Sequence, residues 1–246
     1  ILLAIAVVFM AYVCVNSVVT PIQFEEARAQ REVKVINNLV SLRTAEAQFR
    51  LDKGYFTADL DSLVEYLKTT PKKEVYKVGS LTEKQLEDGL TENKAAKILE
   101  RARLKAQRKM KFQGTDSLDL LYNYIWEKDR EVKAEGLQGF RRDTILTNMI
   151  QSLYKGQYTE ETIGEIVYIP YTDNVKFEVE TNNDYTTSQG IKVPIFEIRA
   201  HYNTYLHDLN AQERANLIDK EEKLDHYPGL KVGSVDAPNN NAGNWE

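Results

Sequence analysis

The chain has 246 residues, 42% apolar and 28% charged, with a net charge of −5 and one cysteine, Cys14. The mild acidity argues against a dedicated nucleic-acid binder, which is usually basic. A lone thiol excludes an intrachain disulfide framework, a Cys-based zinc site and a dithiol redox pair.

The chain opens on an apolar run. Of the 19 residues from Ile1 to Val19, 17 are apolar and none is charged. As a helix the run is roughly 28 Å long, close to the hydrocarbon thickness of a bilayer. We therefore expect a retained membrane anchor. A buried core helix is disfavoured because the run has no polar face. A cleaved signal peptide is disfavoured because Val18-Val19-Thr20 is a poor small-residue cleavage site. Ile1 is not an initiator, so residues are expected before it. The following flank, with Glu25, Glu26, Arg28, Arg31, Glu32 and Lys34, is balanced in sign and leaves orientation open.

Beyond Pro21, which lacks an amide hydrogen, a helical pattern runs from Phe24 to Lys53 and stops at Gly54. Val33, Ile36 and Val40 form one apolar stripe, and Val35, Leu39, Leu42 and Phe49 a neighbouring one. Together they predict a spine packed on a domain through a broad face. Ala58–Leu67 reads as a short helix with an aspartate cap, burying Leu60, Leu63, Val64 and Leu67. Glu74–Val78 reads as a short strand.

Residues 81–115 are polar. Ser80-Leu81-Thr82-Glu83 resembles a capping box, and Thr91 is placed to cap a helix over Glu92–Lys111. That helix is strongly basic. Lys97, Arg101, Lys105 and Arg108 are its candidate partner-facing residues, toward anionic lipid or an acidic partner. The competing expectation is a solvated face on a helix buried through Ile98, Leu99, Leu104 and Met110. Further helices are expected over Ser117–Lys133 and Arg142–Tyr154, with Trp126 in the core.

The pattern changes near Gly156. Glu165–Pro170, Val175–Glu180 and Lys192–Ala200 read as strands, the last two as an antiparallel hairpin. Thr181–Asp184 and Ser188–Gly190 carry turn chemistry. A polar helix over about 208–224 and a strand over Gly229–Ser234 follow. The fold class predicted is α+β: a long N-terminal membrane-anchored helix packed on a domain with additional helices and a small antiparallel sheet. The expected divisions are 1–20 (transmembrane), 21–56 (spine), 57–155 (mainly helical) and 156–246 (antiparallel β with one helix).

No glycine-rich phosphate loop, nucleophile elbow or His-Glu-x-x-His motif occurs. The three histidines, His201, His207 and His226, have no metal-ligand spacing. No catalytic residue, cofactor or metal is assigned.

Three stretches resemble the type IV pilins and the type II secretion pseudopilins. Thr20-Pro21-Ile22-Gln23-Phe24-Glu25-Glu26-Ala27-Arg28-Ala29-Gln30 is similar to the segment where their membrane helix passes a proline. Ala45–Leu63, through Asp52-Lys53-Gly54-Tyr55, is similar to their passage from long helix into loop. Leu230–Asp236 and Asn244-Trp245 are similar to their last strand and terminus. Together these cover roughly 75 of the 246 residues. Phe56 stands where the family has proline, no acidic residue precedes Glu25, and about residues 70–155 exceed the family's usual middle.

The resemblance implies a subunit stored in the bacterial inner membrane, single-pass, with its C-terminal domain periplasmic or extracellular. Its N-terminal helix would leave the bilayer to pack with other copies in a filament. The residues so implied are Leu2, Leu3, Ile5, Val7, Val8, Phe9, Tyr12, Val15, Pro21 and Phe24. The expected partners are membrane lipid, copies of the chain and other envelope-machine subunits, with no nucleic acid. The alternative is a static single-pass adaptor of an envelope secretion or motility complex.

Overall fold

The computed structural model describes residues 2–110 and 118–246, with the side chains of 2–9, 11–13, 110, 144 and 145 outside the description. Helix α1 (Leu2–Lys53) runs 52 residues with Pro21 inside it. The proline ring deprives the Ser17 carbonyl of its helical donor, and the helix nevertheless continues. It ends where expected: Gly54 takes φ +88° and its amide donates to the Arg50 carbonyl at 2.8 Å. The second predicted stripe, Val35, Leu39, Leu42 and Phe49, is buried, while Val33 of the first is exposed. The packed face is thus narrower than predicted. Helix α2 (Leu60–Thr69) is capped by Asp59, which accepts from the Asp61 amide, and packs Leu60, Leu63, Tyr66 and Leu67 inward.

Contacts divide the chain into two compact units, residues 1–70 with 148–246, and residues 71–147. This corrects the expected divisions at 57 and 156. The region 57–155 is not one body, because its first and last segments join the spine's core.

The inserted unit is built on an antiparallel ribbon, β1 (Lys72–Val78) with β2 (Arg141–Thr147). Lys72 lies opposite Thr147, so the insertion leaves and re-enters the chain at one point. Between them lie α3 (Glu83–Glu87), α4 (Glu92–Met110), α5 (Leu118–Lys128) and α6 (Arg130–Ala134). The capping box at α3 is Thr82 with Gln85, not Ser80 with Glu83. Helix α4 buries Ala95, Ile98, Leu99, Ala102 and Ala106, whereas Leu104 is 46% exposed. The Met110 side chain and residues 111–117 lie outside the description. The helix expected over Ser117–Lys133 breaks at Asp129, whose carboxylate accepts the Glu131 and Val132 amides and starts a new helix. Tyr122 is in the core and Trp126 is half-buried against it.

The helix expected over Arg142–Tyr154 is a strand followed by a helix. The partner β1 supplies Arg141–Thr147 with a ladder, and Asn148 then caps α7 (Met149–Tyr154) by accepting from the Gln151 amide. Within this ribbon Asp143 is buried. It accepts from Tyr122 Oη at 2.5 Å and from Arg141 Nε at 2.5 Å. Burial and this carboxylate push the Tyr122 phenol well above its ordinary range.

The chain then returns to the first unit. The strand expected over Glu165–Pro170 is instead a 3-10 turn, Ile163–Val167, followed by one bridge from Tyr168 to Lys176. Ile163, Ile166, Val167 and Ile169 are all buried, so the run points inward without the ladder of a strand. Three antiparallel strands follow in the order β3 (Glu178–Asn182), β4 (Ile195–His201), β5 (Gly229–Gly233). The predicted hairpin forms, shifted so that Thr181 and Asn182 pair rather than turn. Between β4 and β5 lie α8 (Tyr202–Tyr205), which the sequence pattern does not announce, and the expected polar helix, α9 (Ala211–Lys223), capped by Asn210.

Phe196, Ile198 and Ala200 enter one core with Leu39, Leu42 and Phe49 of α1. The alternate positions carry charge: Arg199 reaches Glu180 at 3.3 Å, and Lys231 reaches the buried Glu197 at 3.0 Å. The final residues cover β5: the Asn244 side chain accepts from the Lys231 amide and donates to the Gly229 carbonyl. Gly233 permits this closure. Its φ is +79°, and a Cβ there would lie 2.2 Å from the Phe196 carbonyl oxygen. Gly233→Ala is therefore expected to destabilise the first unit by roughly 4 kcal/mol or more, measured as a fall in the urea midpoint against wild type.

Candidate functional site

Helix α1 divides into two parts by what covers it. Met10 is 70% exposed, Val15 62% and Ile22 52%, and every described side chain from Cys14 to Val19 is exposed. Phe24, at 4%, is the first core side chain among the described residues of the helix. The helical residues 2–23 before it span roughly 33 Å at the helical rise.

The sequence-assigned assembly residues fall into three groups. Val15 is exposed and Pro21 half-buried on the projecting part. Phe24 belongs to the protein's own core, which corrects its assignment: the body reaches the helix there and removes that ring from lipid or neighbours. Leu2, Leu3, Ile5, Val7, Val8, Phe9 and Tyr12 lie outside the described side chains, and the expected anchor Ile1–Val19 rests largely on them. Among the described residues, no helix is long and apolar enough to cross a membrane.

The packed part of α1 is fastened along its length. Arg31 forms a two-pronged pair with Asp208 at 2.5 and 2.7 Å and also donates to the Tyr205 carbonyl at 2.8 Å. The guanidinium holds the Asp208 carboxyl down to about 2. Arg31 and Lys34 both stand over the Tyr171 ring, at 4.8 and 5.1 Å. Tyr171 itself takes φ +64°, a left-handed conformation uncommon for an aromatic residue. Lower on the helix, Tyr154 Oη donates to the Ser41 carbonyl at 2.9 Å, and Arg43 pairs with Glu246 at 2.6 Å. These fastenings hold the spine so that the projecting part continues from a fixed axis.

One residue within the spine was not singled out from the sequence. Glu46 lies between Leu42 and Phe49 at helical spacing, on the buried stripe, and is fully buried. One carboxyl oxygen accepts the Thr57 amide at 3.2 Å and the other has no partner among the described residues. Burial pushes this carboxyl up to about 8. Nearby, the Asn183 side chain accepts the Phe56 amide and donates to the Phe56 carbonyl. The stop after Gly54 is thus held by two polar side chains. An acid on an apolar stripe was the available signal.

The second candidate surface lies on the inserted unit. Lys97, Arg101, Lys105 and Arg108 are all exposed on α4. Arg101 pairs with Glu131 of α6 at 2.7 Å. Lys97, Lys105 and Arg108 have no ion-pair partner among the described residues. Residues 71–147 hold 17 Lys and Arg against 13 Asp and Glu, a net +4, while the rest of the chain holds 15 against 24, a net −9. The two units thus have opposite charge.

Among the described residues, no group of three or more His, Cys, Asp or Glu is placed to hold a metal ion. His201 caps α8 by accepting the Asn203 amide at 3.0 Å, and burial holds its imidazole below the ordinary value. Comparison of the chain with known protein families, with characterised proteins and with solved structures returns no match in any of the three.

Proposed function

We propose that this chain is a structural, non-enzymatic subunit of the bacterial cell envelope. Its projecting N-terminal helix resides in the inner membrane and packs with copies of itself in a pilin-like filament. The observation that carries the reading is the division of α1 at Phe24. One continuous helix is the core spine on one side of that residue and, on the other, presents exposed Met10, Val15, Val18 and Ile22 to no part of its own body. Apolar surface of this kind gains by burial in lipid or against equivalent helices. The resemblance around Pro21 and around Gly54-Tyr55 supports the same reading.

A second reading, a static single-pass adaptor, is favoured by one observation. The pilin resemblance, registered on Pro21, implies a glutamate near Ala4 that helps to register a new subunit, and no acidic residue lies between Ile1 and Glu25. Expression of the complete gene in a bacterium separates the readings. The filament reading expects the protein in membranes after an alkaline wash and as ordered fibres in sheared surface fractions. Membrane-embedded monomers alone would leave the adaptor, and a protein recovered only in the soluble fraction would overturn both.

A further inference from the structure

Helix α4 carries seven Lys and Arg against two Glu. The charge is excessive for what surrounds it: Arg101 has its Glu131, but Lys97, Lys105 and Arg108 stand exposed without ion-pair partners among the described residues. In their midst is an apolar side chain. Leu104, 46% exposed, has Arg101 three residues before it and Arg108 four after it as neighbours on the helix surface, together with exposed Glu100 four before it. The buried side of α4 is filled by Ala95, Ile98, Leu99, Ala102 and Ala106.

Cations flanking an exposed leucine on one helix face match the chemistry of an anionic lipid surface. The long cationic side chains reach headgroup phosphates while their stems and the leucine lie beneath, in the acyl boundary. A nucleic acid would use the cations and leave the leucine in water. We propose that the exposed face of α4 is a membrane-surface contact, specific for anionic phospholipid and separate from the N-terminal helix. Lys97, Lys105 and Arg108 supply the charge, and Leu104 the apolar insertion. The contact does not depend on whether α1 polymerises.

The test uses the full chain reconstituted into vesicles, with Cys14→Ala and Leu104→Cys and an environment-sensitive fluorophore on the new thiol. In vesicles containing phosphatidylglycerol the emission should shift to the blue and be quenched by brominated acyl chains. In pure phosphatidylcholine vesicles it should not. High salt, or Lys97→Gln, Lys105→Gln and Arg108→Gln together, should reverse the shift. Each lost cation should lower the ratio of inserted to free probe about five-fold, and the three together about a hundred-fold. Because these residues are exposed, far-UV circular dichroism of the triple variant should match wild type; a variant that unfolds is replaced by the salt titration of the unaltered charges. Equal emission in both vesicles would overturn the proposal, as would a shift produced by added duplex DNA but not by anionic vesicles.

Discussion

Replacing Val15 and Val18 with Asp is expected to weaken membrane retention and fibre formation while leaving the folded body intact. Both valines are exposed, at 62% and 58%, so their loss opens no cavity in the chain's own core. In a bilayer the cost is different. An aspartate costs about 3 kcal/mol at the centre of a membrane helix and less toward its ends, where Val15 and Val18 lie in the expected span Ile1–Val19. A combined cost of about 3 kcal/mol shifts the partition by roughly 100-fold. Between packed copies the penalty has the same sign, because an unpaired charge is desolvated against apolar neighbours. Val33→Asp is the matched control, since Val33 is also on α1 and exposed but belongs to the packed part. It should fractionate as wild type does. The measurement is distribution between soluble, membrane and sheared fractions, with urea unfolding as the check on the body. If the double variant partitions as wild type does, the projecting helix is not the anchor.

The second expected result concerns Glu46. Its carboxyl is fully buried and pushed up to about 8, chiefly by burial and against the Thr57 amide, which acts in the opposite sense. In the unfolded chain a glutamate titrates near 4.3. Between those values the folded protein holds a proton that the unfolded chain has released. Stability must therefore fall as pH rises through the window from about 4.5 to about 8, and then level off. The slope contributed by this group is at most about 1.4 kcal/mol per pH unit. Glu46→Gln keeps the acceptor for Thr57 and removes the titration. Its advantage over wild type should grow by up to about 4 kcal/mol between pH 5 and pH 8. Urea unfolding of both proteins from pH 5 to 9 reads the difference directly. Parallel curves would show that the carboxyl is ionised throughout, with a partner for its second oxygen.

Several elements were readable because their causes are local. The spine followed from periodicity, its end from Gly54, and α2 from the Asp59 cap. The hairpin of β3 and β4 followed from Val, Ile and Phe between turn residues. The errors arose where a distant partner decided. Arg142–Thr147 has residues compatible with either a helix or a strand, and only pairing with β1 makes it a strand. Glu165–Pro170 reads as a strand because it is rich in Val, Ile and Tyr, but without a neighbour to complete a ladder its first residues belong to the 3-10 turn Ile163–Val167. The same holds for the candidate surfaces. Composition alone placed an uncharged apolar run before Pro21 and a cluster of cations on α4. Tertiary packing decided that Phe24 turns inward, that Leu104 stays outside, and that Glu46 is sealed beneath the Thr57 amide. Local sequence sets backbone preference and amphipathic pattern, but burial depends on which residues far along the chain arrive to exclude water. In this protein those residues come from β4, β5 and the returning segment after Thr147.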